Sequence, residues 1–527
     1  MISAQAVPAS GARTGRNGAF GGFRTRWALL LSAAGGLATF ASFPPLDLWP
    51  LAVLGPALLV VALTGRSLRG SFGCGLVFGL ALFVPLLTWL NNVAWYAWAA
   101  LAGAEAVIFA ALCVGQRLLL DLPFWPAAVG AWWVTAEALR DRWPFAFPWG
   151  RLAMSQSVAP DVRWVAVGGA PLLTFLVALT GAMLARAVLA GLGAGGWRAR
   201  GFAGAGVALV VTAGLVLAGG LLPVDPVGGA PTATVAAIQG DVPHARNLPQ
   251  LLNDSEVTQN QAADTLKLAA GVKAGRLPAP DVVVWPEDAV GLDPREYPFL
   301  YAEVTGAVGA VGRPILVGEV LQNPQRNVGQ LWVPGAGPTY PIYVKRQLVP
   351  FGEYIPFRGI ISSFSSLPSL QPVNFTAGRV PVVFDVGKIR LGDVICYEVG
   401  FDNLVRSEVT AGANLLALQS NDADFEIDGQ LGETEQQTAM ARIRAIESDR
   451  AVVYASTTGE STIIAPDGSL IAHSGVWEQA LLDARVPLVS YRTLADRIGS
   501  WPEYVLVLLT VLAIGFGVTA RRRLSRP

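Results

Sequence analysis

Seven apolar stretches follow one another between residues 27 and 223, and an eighth occupies 504–520. Their extents, 27–43, 48–65, 70–90, 94–116, 122–139, 164–185 and 203–223, approach the roughly 20 residues that a helix needs to cross the hydrocarbon of a bilayer. Only helices and closed barrels satisfy their own backbone hydrogen bonds there, so the pattern predicts a bundle of eight transmembrane helices. Composition agrees: 53% of residues are hydrophobic and 14% charged, against about 25% charged in ordinary soluble domains. Residues 1–26 carry basic groups like the start of a signal peptide, but a whole series of spans follows, so the first helix is expected to be retained.

Arginine placement predicts the orientation. Arg13, Arg16, Arg24 and Arg26 precede the first stretch, Arg66 and Arg69 follow the second, and Arg117 follows the fourth. Arg186, Arg198 and Arg200 sit around the loop after the sixth, and "RRRLSR" follows the eighth. Cytoplasmic loops carry the excess of Lys and Arg, which puts both termini in the cytoplasm. Arg140, Arg142, Arg151 and Arg163 break the pattern, because segment 140–163 then lies outside. They require another explanation.

The expected organisation is a cytoplasmic segment 1–26, a seven-helix bundle 27–225, an outward-facing catalytic domain 226–500, and a closing helix with a basic tail, 501–527. The inserted domain alternates β-branched runs such as "DVVVWPE", "PILVGEVLQ", "RLGDVICYE" and "RAVVYASTT" with helical stretches at 254–274 and 431–448. That alternation argues for a layered α/β domain. Several function classes drop out. Basic and acidic residues balance at 38 each with no basic patch, which leaves no footprint for nucleic acid. His244 and His473 stand far apart, and Cys74 and Cys113 lie in apolar stretches, so neither a metal site nor a disulfide framework is expected. No cofactor is implied.

Three polar residues sit at the ends of apolar runs: Glu287 in "VVVWPE", Lys345 in "PIYVKRQLVPFGEYIPF" and Cys396 in "GDVICYEVGF". A thiol attacks as its thiolate, so it needs a base to take its proton and a cation to favour the anion. A carboxylate and an ammonium supply both, and the ammonium also faces the oxyanion of a tetrahedral intermediate.

Those contexts resemble the carbon–nitrogen hydrolase, or nitrilase, superfamily, whose Glu, Lys and Cys occur in this chain order on an αββα sandwich. "WPE", "KRQLVPFGEYIPF", "GDVICYEVGF" and "SNDADF", joined to seven helices before and one after, look like the bacterial apolipoprotein N-acyltransferases. The segment "AEALRDRWPFAFPWGRLAMSQ" resembles that family's loop between helices five and six. The resemblance implies a nitrilase-like sandwich inserted in the eight-helix bundle, multi-pass in the bacterial cytoplasmic (inner) membrane with its catalytic domain on the periplasmic face. It implies Glu287 as general base, Lys345 as stabiliser of thiolate and oxyanion, and Cys396 as the nucleophile that carries an acyl group as a thioester. Glu353, Tyr397, Glu398 and Asn327 would orient this triad. Two positions depart from the family: Leu248 stands where tryptophan is common, and Asp424 lies in "SNDADFEIDG" in place of a more aromatic version.

The implied reaction is ping-pong. A phospholipid donates an acyl chain to Cys396, and the α-amino group of a diacylglyceryl-modified apolipoprotein accepts it. A monomer is expected. The alternatives are a membrane-anchored nitrilase-type amidase, with water as acceptor, and a noncatalytic transporter or scaffold; eight spans speak against the first and the intact triad against the second. Glu105, in the middle of the fourth stretch, is either a functional intramembrane charge or a group bonded within the bundle. Segment 351–375 carries Phe351, Ile355, Phe357, Ile360, Ile361, Phe364, Leu367 and Leu370 with few charges, and reads as an apolar arm for lipid entry rather than a packed loop.

Overall fold

The computed structural model describes residues 25–193, 199–222, 229–242, 250–363, 372–425 and 432–524. Arg13, Arg16, Arg24, Arg198, His244, Leu248, Phe364, Leu367 and Leu370 lie outside the described residues.

The apolar stretches form helices α1 (Thr25–Ala41), α2 (Leu51–Leu63), α3 (Leu68–Leu86), α4 (Trp95–Leu119), α5 (Trp125–Arg140), α6 (Val165–Gly193) and α7 (Ala199–Leu221). Most ends match the expected ones closely, although α6 runs on to Gly193. Small residues let the helices approach, as is usual where no hydrophobic effect drives helix pairing. A Cβ on Gly36 of α1 would sit 2.3 Å from the Phe78 carbonyl oxygen of α3, and one on Gly79 would sit 2.8 Å from Ala106 Cα of α4. Among the described residues, four helical spans are long and apolar enough to cross a membrane: Leu68–Leu86, Trp95–Leu119, Val162–Gly191 and Trp501–Thr519. α2, with 13 residues, and α5, with 16, are shorter than a full span.

Beyond the bundle the period changes from helix to strand, and two mixed sheets form. The first contains β1 (Thr232–Gln239), β2 (Val282–Val284), β3 (Ile315–Leu321), β4 (Arg326–Val333), β5 (Gly337–Pro338), β6 (Tyr343–Val344) and β13 (Ala480–Pro487). Its order is β13-β1-β2-β3-β4-β5, with β6 also paired to β4. The second contains β7 (Val383–Val386), β8 (Ile389–Ile395), β9 (Leu415–Ser420), β10 (Val452–Ser456), β11 (Thr462–Ile464) and β12 (Leu470–His473), in the order β12-β11-β10-β9-β8-β7. The central strands β1-β2-β3 and β8-β9-β10 run parallel and are almost wholly buried, which explains their continuous β-branched runs.

Helices α8 (Gln250–Lys273) and α9 (Pro298–Val311) cover the first sheet, a short α10 (Arg358–Ile361) follows β6, and α11 (Asp402–Ala411) and α12 (Glu433–Ser448) cover the second. The sheets face each other, giving the expected αββα layers. They pack tightly at Gly329 of β4, where a Cβ would fall 1.8 Å from Asp393 Oδ2 and 2.8 Å from Gln419 Oε1. A side chain there would displace the buried Asp393 and Gln419 side chains. A last turn α13 (Leu494–Ile498) then leads into α14 (Trp501–Leu524), which packs on α5.

The four arginines of segment 140–163 are consumed by internal partners. Arg140 pairs with Glu105 of α4 and donates to the Trp149 carbonyl at 2.6 Å. Arg142 pairs with Glu503 at 2.5 Å, and Arg163 reaches the carbonyls of Gly220 and Leu222 behind α7. Arg151, 2% exposed, grips Asp402 at the start of α11 through two bonds of 2.8 and 3.0 Å, and Arg444 of α12 meets the same carboxylate at 2.6 Å. Burial works against an ionised Asp402, but the Arg151 and Arg444 charges outweigh it and hold the carboxyl below its usual range. These arginines join the bundle to the inserted domain.

Candidate active site

Glu287 leaves β2 through the "WPE" bend and is 4% exposed. Gly318 of β3 makes room for that bend, since a Cβ there would stand 2.1 Å from the Pro286 carbonyl oxygen. Lys345 follows β6 and is 1% exposed, with its N–H donating to the Asn327 carbonyl of β4 at 2.9 Å. Cys396 directly follows β8 and opens a 3₁₀ turn, Cys396–Gly400, with φ at +51°. That left-handed backbone is unfavourable for a residue with a side chain and persists only where the surroundings enforce it.

Glu398 is one of the groups that enforces it. Its Oε2 accepts the Ile395 N–H at 2.9 Å and the Tyr343 hydroxyl at 2.7 Å, while Oε1 accepts the N–H groups of Arg346 at 2.6 Å and Gln347 at 3.1 Å. One buried carboxylate thus ties the cysteine turn to the segment that carries Lys345. Tyr397 anchors the turn on the other side. Its hydroxyl donates to the Ala146 carbonyl at 2.7 Å, and its ring stacks on Trp149 at 5.4 Å.

Around the carboxylate, Glu287 Oε1 accepts from Lys345 Nζ at 2.8 Å and Asn327 Nδ2 at 2.6 Å, and Oε2 accepts the Asn421 N–H at 3.0 Å. Glu353 closes the group: its Oε1 lies 3.1 Å from both Lys345 Nζ and Asn327 Nδ2, and its Oε2 accepts the Val349 N–H at 2.7 Å. An ammonium has three N–H donors, so two carboxylates leave Lys345 one donor to aim elsewhere. The structure brings Glu287, Lys345, Cys396, Glu353, Asn327, Tyr397 and Glu398 into one region, Asn327 from β4 and the others from the segments that follow β2, β6 and β8. Asn421 and Gln437 were not singled out. Asn421 lay inside the "SNDADF" stretch, but Gln437, on a helix with no motif, gave no sequence signal.

The charges have a clear balance. Burial draws the Lys345 pKa down, yet the Glu287 and Glu353 carboxylates and Cys396 outweigh it and hold the ammonium well above its ordinary value. Burial and the Glu287 charge push the Cys396 thiol well above its usual range; Lys345 pulls it back without winning. Asp288, beside Glu287, is raised to about 7 by burial and by the Glu287 charge. The resting cysteine is thus a neutral thiol beside an ammonium–carboxylate pair, suited to losing its proton during attack rather than before it.

The arm is described only in part. Phe351 and Phe357 are 45% and 68% exposed, in line with an apolar surface, and Phe351 meets Phe145 edge to face at 5.7 Å. Ile355 departs from the expectation: its side chain is buried, 4% exposed, and its N–H donates to Asn374 Oδ1 at 3.2 Å. The side chains of Ile360 and Ile361 lie outside the described set.

The chain is similar to known proteins along most of its length. The family description "Apolipoprotein N-acyltransferase N-terminal domain" matches residues 35–183, and "Carbon-nitrogen hydrolase" matches 318–496, a range that includes Lys345 and Cys396 and begins after Glu287. An apolipoprotein N-acyltransferase of Mycolicibacterium smegmatis is 36% identical over 541 residues, with 96% of this chain and 89% of that one covered. One of Vibrio parahaemolyticus is 26% identical, covering 92% of this chain and 96% of its own. A solved amidase from Nesterenkonia sp. is 18% identical, aligned over 50% of this chain and 92% of that one with a TM-score of 0.35.

Proposed function

Because the chain belongs to the apolipoprotein N-acyltransferase family, we propose that it moves an acyl chain from a phospholipid, through a thioester on Cys396, to the α-amino group of a diacylglyceryl-cysteine at the start of a lipoprotein. Glu287 takes the thiol proton as Sγ attacks the ester carbonyl carbon. Lys345 turns its third N–H to the resulting oxyanion. The intermediate collapses with cleavage of the carbon–oxygen bond, and Glu287 returns the proton to the departing lysophospholipid oxygen.

In the second half the neutral amine attacks the thioester carbon, the carbon–sulfur bond breaks, and the proton lost from nitrogen passes through Glu287 to the released sulfur. A thioester is stable enough to wait for a second substrate and reactive enough for an amine. Glu353 and Asn327 keep Glu287 and Lys345 in register, and Tyr397 and Glu398 fix the turn that presents the sulfur.

The bundle reading extends to eight spans, with both ends in the cytoplasm and residues 226–500 on the periplasmic face of the inner membrane. The apolar helices and the internal pairing of the outer-loop arginines support it. Substrates then reach Cys396 sideways from the bilayer, past the exposed aromatic groups of the arm.

One observation carries the reaction: a buried Lys345–Glu287 pair at 2.8 Å beside a cysteine held on a left-handed turn. The decisive experiment is mass spectrometry of the full-length protein after incubation with phosphatidylethanolamine. One acyl chain is expected on Cys396, and it should disappear when a diacylglyceryl peptide is added. Loss of the chain to water at the same rate without peptide would favour the amidase instead.

A further inference from the structure

The sulfur of Cys396 has a neighbour that the proposed reaction leaves unused. Gln437, on α12 and 1% exposed, places Nε2 3.7 Å from Cys396 Sγ. The same nitrogen donates to Glu433, one helical turn earlier. Its amide oxygen lies 3.2 Å from the Ser420 hydroxyl and 3.3 Å from the Tyr454 hydroxyl.

These contacts decide which way the amide faces. A side-chain amide offers two N–H donors and one carbonyl oxygen. Turned over, Gln437 would press its oxygen against the Glu433 carboxylate and against sulfur. In the observed orientation one N–H satisfies Glu433, the hydroxyls sit at the oxygen, and the second N–H is directed at Sγ. Ser420 and Tyr454 also lie 2.6 and 3.1 Å from the buried Asp422 carboxyl, so each shares its single hydroxyl proton between Asp422 and the Gln437 oxygen; the Glu433 contact is what sets the amide's direction.

We propose that Gln437 is a positioning residue for acyl transfer, holding Sγ as a hydrogen-bond acceptor so that its proton points to Glu287 and its developing negative charge is met by an N–H. The inference rests on Cys396 being the nucleophile. Its physical need is plain. The Glu433 and Asp422 charges both oppose a negative charge on the sulfur, and Gln437 Nε2 reaches both Glu433 and Sγ. A donor to an ionised group is worth roughly twice one to a neutral group, so the contact strengthens as the proton leaves.

Gln437→Met keeps the length of the side chain and removes both donors, and Gln437→Glu replaces them with a carboxylate. Each full-length variant, in detergent micelles, is followed by iodoacetamide alkylation of the Cys396 peptide against pH, by thermal melting, and by acyl-enzyme formation from phosphatidylethanolamine. For Gln437→Met the alkylation midpoint should rise by about one pH unit, a tenfold fall in thiolate at a given pH. Acylation should slow by about tenfold with it, while the melting temperature and the phospholipid concentration for half-maximal rate stay close to the wild type. Gln437→Glu should shift further.

Gln437→Asn keeps the amide but shortens its reach; should either other variant fail to fold, it is expected to show the same upward shift. An unchanged midpoint in a folded variant overturns the proposal. Failure of the wild type to form any acyl-enzyme, with the midpoint shift intact, would instead overturn the acyl-transfer reading and leave the Gln437–sulfur contact standing.

Discussion

At the scale of single residues, the proposed chemistry starts from a cysteine whose thiol is held in its neutral form. Burial and the Glu287 charge raise the thiol pKa, so the thiolate fraction grows only as pH climbs beyond the ordinary thiol range. Alkylation of Cys396 by iodoacetamide should therefore still be accelerating at about pH 9, above the reference thiol pKa near 8.5, with no plateau at neutral pH. Cys396→Ala should abolish both half-reactions, and Cys396→Ser should be nearly as damaging, since a carboxylate base is poorly matched to a hydroxyl far less acidic than a thiol. Lys345→Met removes the ammonium that the proposed mechanism turns toward thiolate and oxyanion. Acyl-enzyme formation, timed by mass spectrometry, should fall by about a hundredfold or more. The triad could be read in the sequence because each member ends an apolar run, where a charge or thiol stands out. Asn421 and Gln437 could not: Asn421 acts through its backbone N–H on a carboxylate 134 positions away, and Gln437 meets a sulfur 41 positions away.

At the scale of elements, the start of α11 is the clamp between bundle and domain. Asp402 receives Arg151 from the loop after α5 and Arg444 from α12. Removing one partner of a buried ion pair leaves the others uncompensated, at a cost of about 3–5 kcal/mol. Asp402→Asn should therefore lower the melting temperature markedly, and activity should fall with it because α11 continues directly from the cysteine turn. The pH dependence has a definite sign. The folded pKa of Asp402 lies below its ordinary value, so its stabilisation is complete above the unfolded carboxylate range near 4 and disappears only as pH falls below it, through the folded pKa. Phe357 is the contrasting case. It is 68% exposed with a positive φ that aspartate tolerates better than most residues. Phe357→Asp should change stability by no more than about 0.5 kcal/mol while slowing turnover of micellar phospholipid several-fold. Equal losses of stability and turnover would show a packed loop rather than a lipid-entry surface.

At the scale of the whole molecule, the orientation is open to direct test: an engineered cysteine on the exposed face of α8, such as Lys267→Cys, should react with a membrane-impermeant maleimide added outside bacteria whose outer membrane has been permeabilised. Labelling only after lysis of the inner membrane would reverse the assignment. Hydrophobic periodicity by itself determined where the apolar helices and the central parallel strands lie, because a span or a buried parallel strand must be apolar along its length whatever it packs against; β4, β11–β13, α9 and α11 were not marked by it. It also pointed out Glu287, Lys345 and Cys396, whose side chains are costly at such positions without a purpose. Local pattern could not say that the arginines of 140–163 would be spent on Glu105, Glu503 and Asp402, and so it left them as an exception to the orientation rule. Nor could it tell that Ile355 turns inward while Phe357 stays out, or that the thiol rests protonated. Those outcomes depend on which distant groups share a buried volume, since the energy of a charge or a hydrogen bond in a low-dielectric interior is set by neighbours within a few ångströms, and only the tertiary structure decides who they are.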